Sequence, residues 1–382
     1  MPEGFVPEEF EIGIADDVVA DLRERLARSR WPDAETVDDW SQGVPLAYLQ
    51  ELCEYWRDGY DFAEAARRLN RLPHQRAEID GLGIHFVHRR SPEPSALPLV
   101  VTHGWPGSIV EFLDVVDLLA DPVAHGGDAA DAFHVVCPSL PGYGWSDRPS
   151  GTGWGVERTA MAWSTLMHGL GYDTYGAQGG DWGAFVSTAI GKVDPQGCVG
   201  VHLNLAIARP DADALADLTE PEATALADVA HYDQQESGYY KQQATRPQTL
   251  GYGLADSPAA QCAWIVEKLF AWSDCDGHPE NVFTKEQMLD NVMAYWLTDT
   301  GASSARMYWE SSASVDATEV ATPTAVTVFP RELFRSSRRW AERRFLDLRY
   351  WNEVDRGGHF AAFEQPELFA TEVRAAFRTL RA

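Results

Sequence analysis

The sequence holds no G-x-S-x-G turn, no C-x-x-C pair and no apolar run near the roughly 18 residues that cross a bilayer. The missing serine motif removes the usual acyl-transfer signature. The five cysteines (Cys53, Cys137, Cys198, Cys262, Cys275) are an odd number without paired spacing. They exclude a disulfide framework and a cysteine zinc site, and reduced thiols in a cytosolic protein are expected. Positive charge is scarce: 31 Lys and Arg stand against 58 Asp and Glu, a formal net charge of −27. A surface of that sign repels phosphate, which argues against nucleic acid and anionic membranes as partners. The start, Met1-Pro2-Glu3-Gly4-Phe5, lacks the basic residues and apolar stretch of a secretory leader, so a cytoplasmic location is expected. No H-E-x-x-H, Walker loop or dinucleotide fingerprint occurs, and neither a metal nor an organic cofactor is expected.

What remains is a chain rich enough in apolar residues, 45%, to bury a sizeable core. Its 382 residues suit two or three domains, or one large α/β domain with insertions. Residues 16–30 read as an amphipathic helix with Val18, Val19, Leu22, Leu26 and Ala27 on one face, stopped by Trp31-Pro32. Further helices are expected over 46–57 and 61–69. Asp80-Gly81-Leu82-Gly83 between two short apolar segments is a hairpin signal. Then strand, loop and helix repeat. Leu97–Thr102 and Phe133–Cys137 are short apolar runs, Val199–Leu205 and Ala325–Phe329 read as further strands, and Tyr175-Gly176-Ala177 enters a glycine-rich turn. Strands apolar along their whole length imply a parallel sheet covered on both faces. Residues 206–318 show no strand and read as a helical insertion. The expected divisions are an N-terminal meander over 1–80, core over 81–205, a lid over 206–318 and core again over 319–382.

Gly179-Gly180-Asp181-Trp182-Gly183 lies between a strand and a helix. Small residues two before and two after the central position are what a nucleophile elbow needs, because its backbone turns sharply against neighbouring chain. Here the centre is a carboxylate. Aspartate attacks a saturated carbon and leaves an alkyl ester that water then cleaves. The bland alternative is a turn with Asp181 as a helix N-cap.

Other parts follow in the order of an α/β-hydrolase fold. His103-Gly104-Trp105-Pro106-Gly107-Ser108 follows the Leu97–Thr102 strand, where that fold draws an oxyanion-hole donor. Trp105 has the free N–H, since Pro106 has none, and Trp182 after the nucleophile supplies the second. His103 reads as structural. Asp355-Arg356-Gly357-Gly358-His359 sets an imidazole on a loop after the last strand. A carboxylate must then lie between nucleophile and histidine in the chain. Asn204 fills one of the two available places, so Glu332 takes the role, with Asp355 as the runner-up.

At this point the elbow, the His-Gly-Trp-Pro-Gly-Ser loop and the ending Arg356-Gly-Gly-His359-Phe-Ala-Ala-Phe-Glu364 resemble the microsomal-type epoxide hydrolases. The resemblance extends over nearly the whole chain, including Trp56-Arg57-Asp58-Gly59-Tyr60 and Arg71-Leu72-Pro73-His74 near the start. It implies an Asp181–His359–Glu332 triad and two lid tyrosines that hydrogen-bond the epoxide oxygen. Glu236-Ser237-Gly238-Tyr239 and Ser304-Ala305-Arg306-Met307-Tyr308 match these, with Tyr232 and Tyr240 close enough to compete for the first. The implied reaction is water addition to an epoxide, apolar or aromatic, giving a vicinal diol through an aspartyl ester. Related bacterial enzymes act in natural-product pathways, enediyne biosynthesis among them. Animal members carry a hydrophobic N-terminal anchor that this chain lacks, which implies a soluble protein. A homodimer stays open.

Two other readings compete. A haloalkane dehalogenase would use the same aspartate, with Trp182 as a halide donor. A non-catalytic ligand-binding relative would show a broken triad. Elsewhere, Arg331, Arg335, Arg338, Arg339, Arg343 and Arg344, at helical spacing, read as a solvated face making salt bridges rather than a site for an anionic partner. Trp264, Trp272 and Trp296 read mostly as core, with a pocket wall as the alternative. Asp256-Ser257-Pro258 reads as a helix start.

Overall fold

A computed structural model describes residues 5–312 and 318–381; residues 313–317, inside the expected helical stretch, and the terminal residues fall outside it. The sequence's alternation of apolar runs and helices produces one nine-stranded sheet. Its strands are β1 (Glu8–Phe10), β2 (His74–Ile79), β3 (Leu82–Arg89), β4 (Leu97–Thr102), β5 (Phe133–Pro138), β6 (Tyr175–Gly179), β7 (Cys198–Leu203), β8 (Thr324–Val328) and β9 (Leu348–Glu353). The spatial order is β1-β2-β3-β5-β4-β6-β7-β8-β9. β1, β2 and β3 pair antiparallel, as do β3 and β5; from β5 to β9 every pairing is parallel. All five residues of β6 are buried, which requires cover on both faces.

The β2–β3 hairpin turns on Asp80 (φ +54°) and Gly81 (φ +75°), the left-handed pair that matches strand twist in a two-residue turn. The first helix ends at Ala27 rather than at residue 30. The Arg28 N–H already bonds to both the Glu24 and Arg25 carbonyls there, a tightened last turn that closes the helix before Trp31-Pro32. Its buried face is Leu22 and Leu26, and Ala27 is exposed. The helices Leu46–Asp58 and Phe62–Leu69 occur as expected, the second capped by the Asp61 carboxylate on the Ala63 and Glu64 N–H groups. Helices Val156–Gly169 and Trp182–Val193 pack together beside the sheet, and Pro366–Leu380 lies on β7, β8 and β9.

Between β7 and β8 the described residues are helical, from Ala212–Ala216 to Gly301–Ser311, with no strand. Ser257 caps the helix that begins at Pro258. The arginine cluster makes salt bridges, as expected of a solvated face. Only 338–344 is helical, and several guanidiniums reach across to the stretch after β7. Arg335 pairs with Asp228, Arg339 with Glu222 and Arg343 with Asp211, while Arg344 donates to the Ile207 carbonyl. The N-terminal helices also grip this stretch: Arg68 clasps the buried Asp290 through two nitrogens at 2.9 and 2.8 Å, and Trp56 donates to Met293 Sδ at 3.3 Å. No helix among the described residues is long and apolar enough to cross a membrane.

Candidate active site

The carboxyl ends of β4, β6, β8 and β9 lead into the loops that carry Trp105, Asp181, Glu332 and His359, the edge where α/β sheets place ligands. Asp181 stands at the sharp bend after β6 with φ +46° and ψ −129°, a region that side chains other than glycine enter rarely. The glycines around it have a steric cause. A Cβ on Gly179 would overlap the Gly183 carbonyl, and one on Gly183 would overlap the Thr102 carbonyl. The Asp181 carboxylate makes no capping bond to the helix Trp182–Val193, so the N-cap alternative does not describe it. It points instead at the loop after β4, where Gly104 has no room for a Cβ against it and the Trp105 N–H donates to Oδ1 at 2.8 Å. Trp182 is the first residue of the following helix, whose opening N–H groups have no acceptor within the helix.

His359 lies across this carboxylate, with Nε2 3.4 Å from Asp181 Oδ2. Its Nδ1 is 2.6 Å from Glu332 Oε1, which also accepts the Leu333 N–H at 2.7 Å. The two loops are tied by backbone: Arg331 and Gly358 form a parallel bridge, and the His359 N–H donates to the Trp272 carbonyl at 2.9 Å. Glu332 is buried, whereas the Asp355 side chain is 84% exposed and paired with Arg356, which removes the runner-up from the site. Burial alone would depress the His359 pKa. The facing carboxylates of Glu332 and Asp181 outweigh it and raise the imidazole well above its ordinary value.

An aromatic wall closes the other side. Trp105 stacks on Tyr239 with ring centroids 5.0 Å apart and meets Tyr308 edge-on at 5.9 Å. Tyr308 also meets Trp182 edge-on at 4.9 Å, and Tyr239 and Tyr308 lie 5.7 Å apart. Burial raises both phenols well above 10, and the charge of Asp181 adds to the effect, so both hold their protons at neutral pH. The Tyr239 hydroxyl shares a hydrogen bond of 2.8 Å with Tyr232, and the Tyr308 hydroxyl is buried without a partner. Tyr240 is half-buried beside the ring of Tyr308.

Of the three lid tryptophans, Trp272 alone reaches the site, 5.0 Å from Tyr239 and 5.1 Å from His359. Trp264 bonds Gln243, and Trp296 packs on Trp56. His103 sits below the loop with Nδ1 against the Gly104 carbonyl and Nε2 against the Leu140 N–H. Burial lowers its pKa to about 4, which fits a neutral structural imidazole. Two neighbours carry no sequence signal. Lys268, buried and paired with Glu267 at 2.8 Å, lies 4.8 Å over the Tyr239 ring. Glu111 shares a cavity with Asp181 and His359.

Comparison with known proteins identifies the family and the fold. Residues 7–112 match the family model described as epoxide hydrolase N terminus, and residues 98–250 match that of the alpha/beta hydrolase fold. The chain is 54% identical over 374 residues to a Stigmatella aurantiaca protein whose name assigns it provisionally as an epoxide hydrolase, covering 98% of this chain and 85% of that one. It is 33% identical over 395 residues to epoxide hydrolase 1 of Sus scrofa, covering 96% and 87%. The crystal structure of juvenile hormone epoxide hydrolase from the silkworm Bombyx mori superposes with a TM-score of 0.90 at 32% identity, covering 99% and 95%.

Proposed function

The chain belongs to the epoxide hydrolase family and is an epoxide hydrolase of the α/β-hydrolase fold, and we propose that Asp181, His359, Glu332, Tyr239 and Tyr308 carry its reaction. In the first step Asp181 Oδ2 attacks an epoxide carbon and the C–O bond of the ring breaks. The phenols of Tyr239 and Tyr308 donate to the ring oxygen, and one passes its proton to the departing alkoxide. The product is an alkyl ester of Asp181, and the His359 imidazolium returns a proton to the phenolate, which leaves the imidazole neutral for the next step.

In the second step His359 Nε2 takes a proton from water, and the resulting hydroxide adds to the Asp181 carbonyl carbon. The negative charge gathers on Oδ1, where the Trp105 N–H already donates and the Trp182 N–H completes the oxyanion hole. Glu332 holds the opposite ring nitrogen and fixes the imidazole's tautomer and orientation. Collapse of the adduct expels the second alkoxide, which takes the proton of the newly formed carboxylic acid. A vicinal diol leaves, and Asp181 keeps the oxygen that came from water.

The observation that carries this reading is the division of labour on one carboxylate: Oδ1 bound to Trp105, Oδ2 facing His359, with two protonated phenols nearby. The walls formed by Trp105, Trp182, Trp272 and the two tyrosines suit an apolar or aromatic epoxide. Five buried free cysteines suit a reducing compartment. A dehalogenase would share the nucleophile, but family membership favours the epoxide.

The test is a trapped intermediate. His359→Gln should still be alkylated but should not release diol, so mass spectrometry should find one adduct on the peptide containing Asp181. Asp181→Ala should show neither adduct nor turnover. A His359→Gln protein that stays unmodified by a substrate of the wild type would overturn the mechanism.

A further inference from the structure

The proposed triad leaves one acidic side chain in the site without a task. Glu111 stands at the far end of the loop that begins with His103, and its N–H bonds back to the Ser108 carbonyl at 3.2 Å. Its carboxyl folds over Gly107, where a Cβ would overlap it. Lid residues fix that loop: Asn291 donates to the Pro106 carbonyl at 2.8 Å, and Tyr295 donates to the Gly107 carbonyl at 2.6 Å. The charges Glu111 feels are those of His359, Asp181 and Glu364, none of them an arginine or lysine, and burial raises its pKa to about 8. With no arginine or lysine beside it, a carboxyl drawn this far from water favours its protonated, hydrogen-bonded form.

Glu111, Asp181, His359 and Gln178 line one small cavity with room for about one water molecule, and neither Tyr239 nor Tyr308 lines it. The cavity therefore reaches the nucleophile from a different side than the phenols. Gln178 is fully buried at the end of β6. Its amide nitrogen donates to Asn204 Oδ1 at 2.9 Å, while its oxygen has no partner. Buried waters typically take about three hydrogen bonds from polar groups left unsatisfied by the protein. Gln178 Oε1 and His359 Nε2 are two such groups beside one space, and the Glu111 carboxyl lines it as well.

Resting on the two-step reading above, we propose that Glu111, with Gln178, positions the water that cleaves the Asp181 ester. One hydrogen of the water points to His359 Nε2, the other to Glu111 or Gln178, and a lone pair is left toward the ester carbon. Glu111 takes no proton in this step; His359 does. The carboxyl acts only on the second step, because ring opening takes place among the phenols.

The experiment separates the two steps. Alkylation is followed by stopped-flow tryptophan fluorescence, and the alkylated fraction by rapid quench and intact-protein mass spectrometry, with an epoxide the wild type turns over. Glu111→Met keeps the length of the side chain and removes its hydrogen bonds. It should slow ester hydrolysis at least about tenfold, leave alkylation within about threefold, and become mostly alkylated in steady state. Glu111→Gln, which can still accept a hydrogen bond, should hydrolyse the ester within about threefold of wild type. A merely structural role would lower both steps together, and that result overturns the proposal, as does unchanged hydrolysis. If Glu111→Met does not fold, Glu111→Asp, which withdraws the carboxyl by one methylene, should slow hydrolysis alone by about threefold or more, and no change there overturns the proposal equally. Adduct in His359→Gln but no accumulation in the Glu111 variants sinks this role alone. No adduct in His359→Gln sinks both readings.

Discussion

The Trp105 N–H donates to Oδ1 of Asp181 at 2.8 Å, so the two oxygens of this carboxylate are inequivalent before any substrate arrives. In the proposed mechanism Oδ1 is already where the oxyanion forms, and Oδ2 is left to attack. The hypothesis that water enters through the ester carbon has an isotopic signature. In a single turnover in ¹⁸O-water, the diol should contain no label, and the label should appear in the peptide bearing Asp181. A second turnover should transfer it to diol. Label in the first diol would rule out the ester route.

Glu332 and Asp355 make a matched pair of tests. Glu332 is buried and 2.6 Å from the imidazole, whereas Asp355 is exposed and bound to its neighbour Arg356. Glu332→Gln should slow ester hydrolysis by about 100-fold or more while alkylation persists. Asp355→Asn should leave both rates within about twofold, as expected for an exposed side chain outside the site. Equal losses in the two variants would return the role to open question.

The lid phenols should govern the other half of the cycle. Tyr239→Phe and Tyr308→Phe are each expected to slow alkylation by roughly 10- to 100-fold, and the double variant to lose it. Ester hydrolysis should stay near the wild-type rate, which an isolated adduct can report. Tyr240→Phe should change little, because that ring is half-buried beside Tyr308. Normal alkylation in the double variant would remove the phenols from the mechanism.

Acid stability offers a test independent of activity. Burial lowers the pKa of His74 and His85, brings His88 and His103 to about 4 and His202 to about 3. These imidazoles stay neutral when folded and gain protons when unfolded below about pH 6.5. Their stabilisation is therefore present above that value and lost as pH falls from about 6.5 toward 4. His359 has the opposite shift; its contribution is fully present below 6.5 and is lost only as pH rises through its folded value, so it adds no slope in this window. Urea midpoints at pH 7.5, 6.5, 5.5 and 4.5 should decline from about 6.5, before most carboxylates titrate. His202→Gln should reduce the slope by up to about 1.4 kcal/mol per pH unit, the effect of one proton. A flat profile down to pH 5 would contradict this.

The parts of the fold that could be read from sequence were those with a strong local cause. β4, β5, β7 and β8 are buried on both faces and read as short segments dominated by valine and other apolar residues. β1 has three residues and a mostly exposed pattern, too short to show a period, and β9, Leu-Arg-Tyr-Trp-Asn-Glu, is a half-exposed edge strand. The helix Val156–Gly169 buries Trp163, Leu166 and Met167, but Thr159, Ala160 and Ala162 share that face and dilute its apolar stripe. Asp181, Trp105 and His359 are legible because tight turns impose glycine and proline around them. Trp272 and Glu111 are not, since each reaches the site from a helical segment whose local sequence is ordinary. The arginines of 331–344 could be recognised as salt-bridging, but not the partners they cross to reach, because those lie more than 100 residues away in the chain.

In the proposed mechanism, the sandwiching of His359 between two carboxylates would set the order of events. The two facing carboxylates raise the ring's pKa well above its ordinary value, so in that mechanism it starts as a cation and is not yet a base. Esterification makes Asp181 neutral and leaves Glu332 alone to support that charge, so the ring's affinity for its proton falls just when the opened epoxide has taken one from a phenol. One proton can therefore restore the tyrosine, free the imidazole and return when water is split. The chemistry closes on itself without a net loan from the solvent, and the hydrolytic machinery is armed only by the presence of its own substrate.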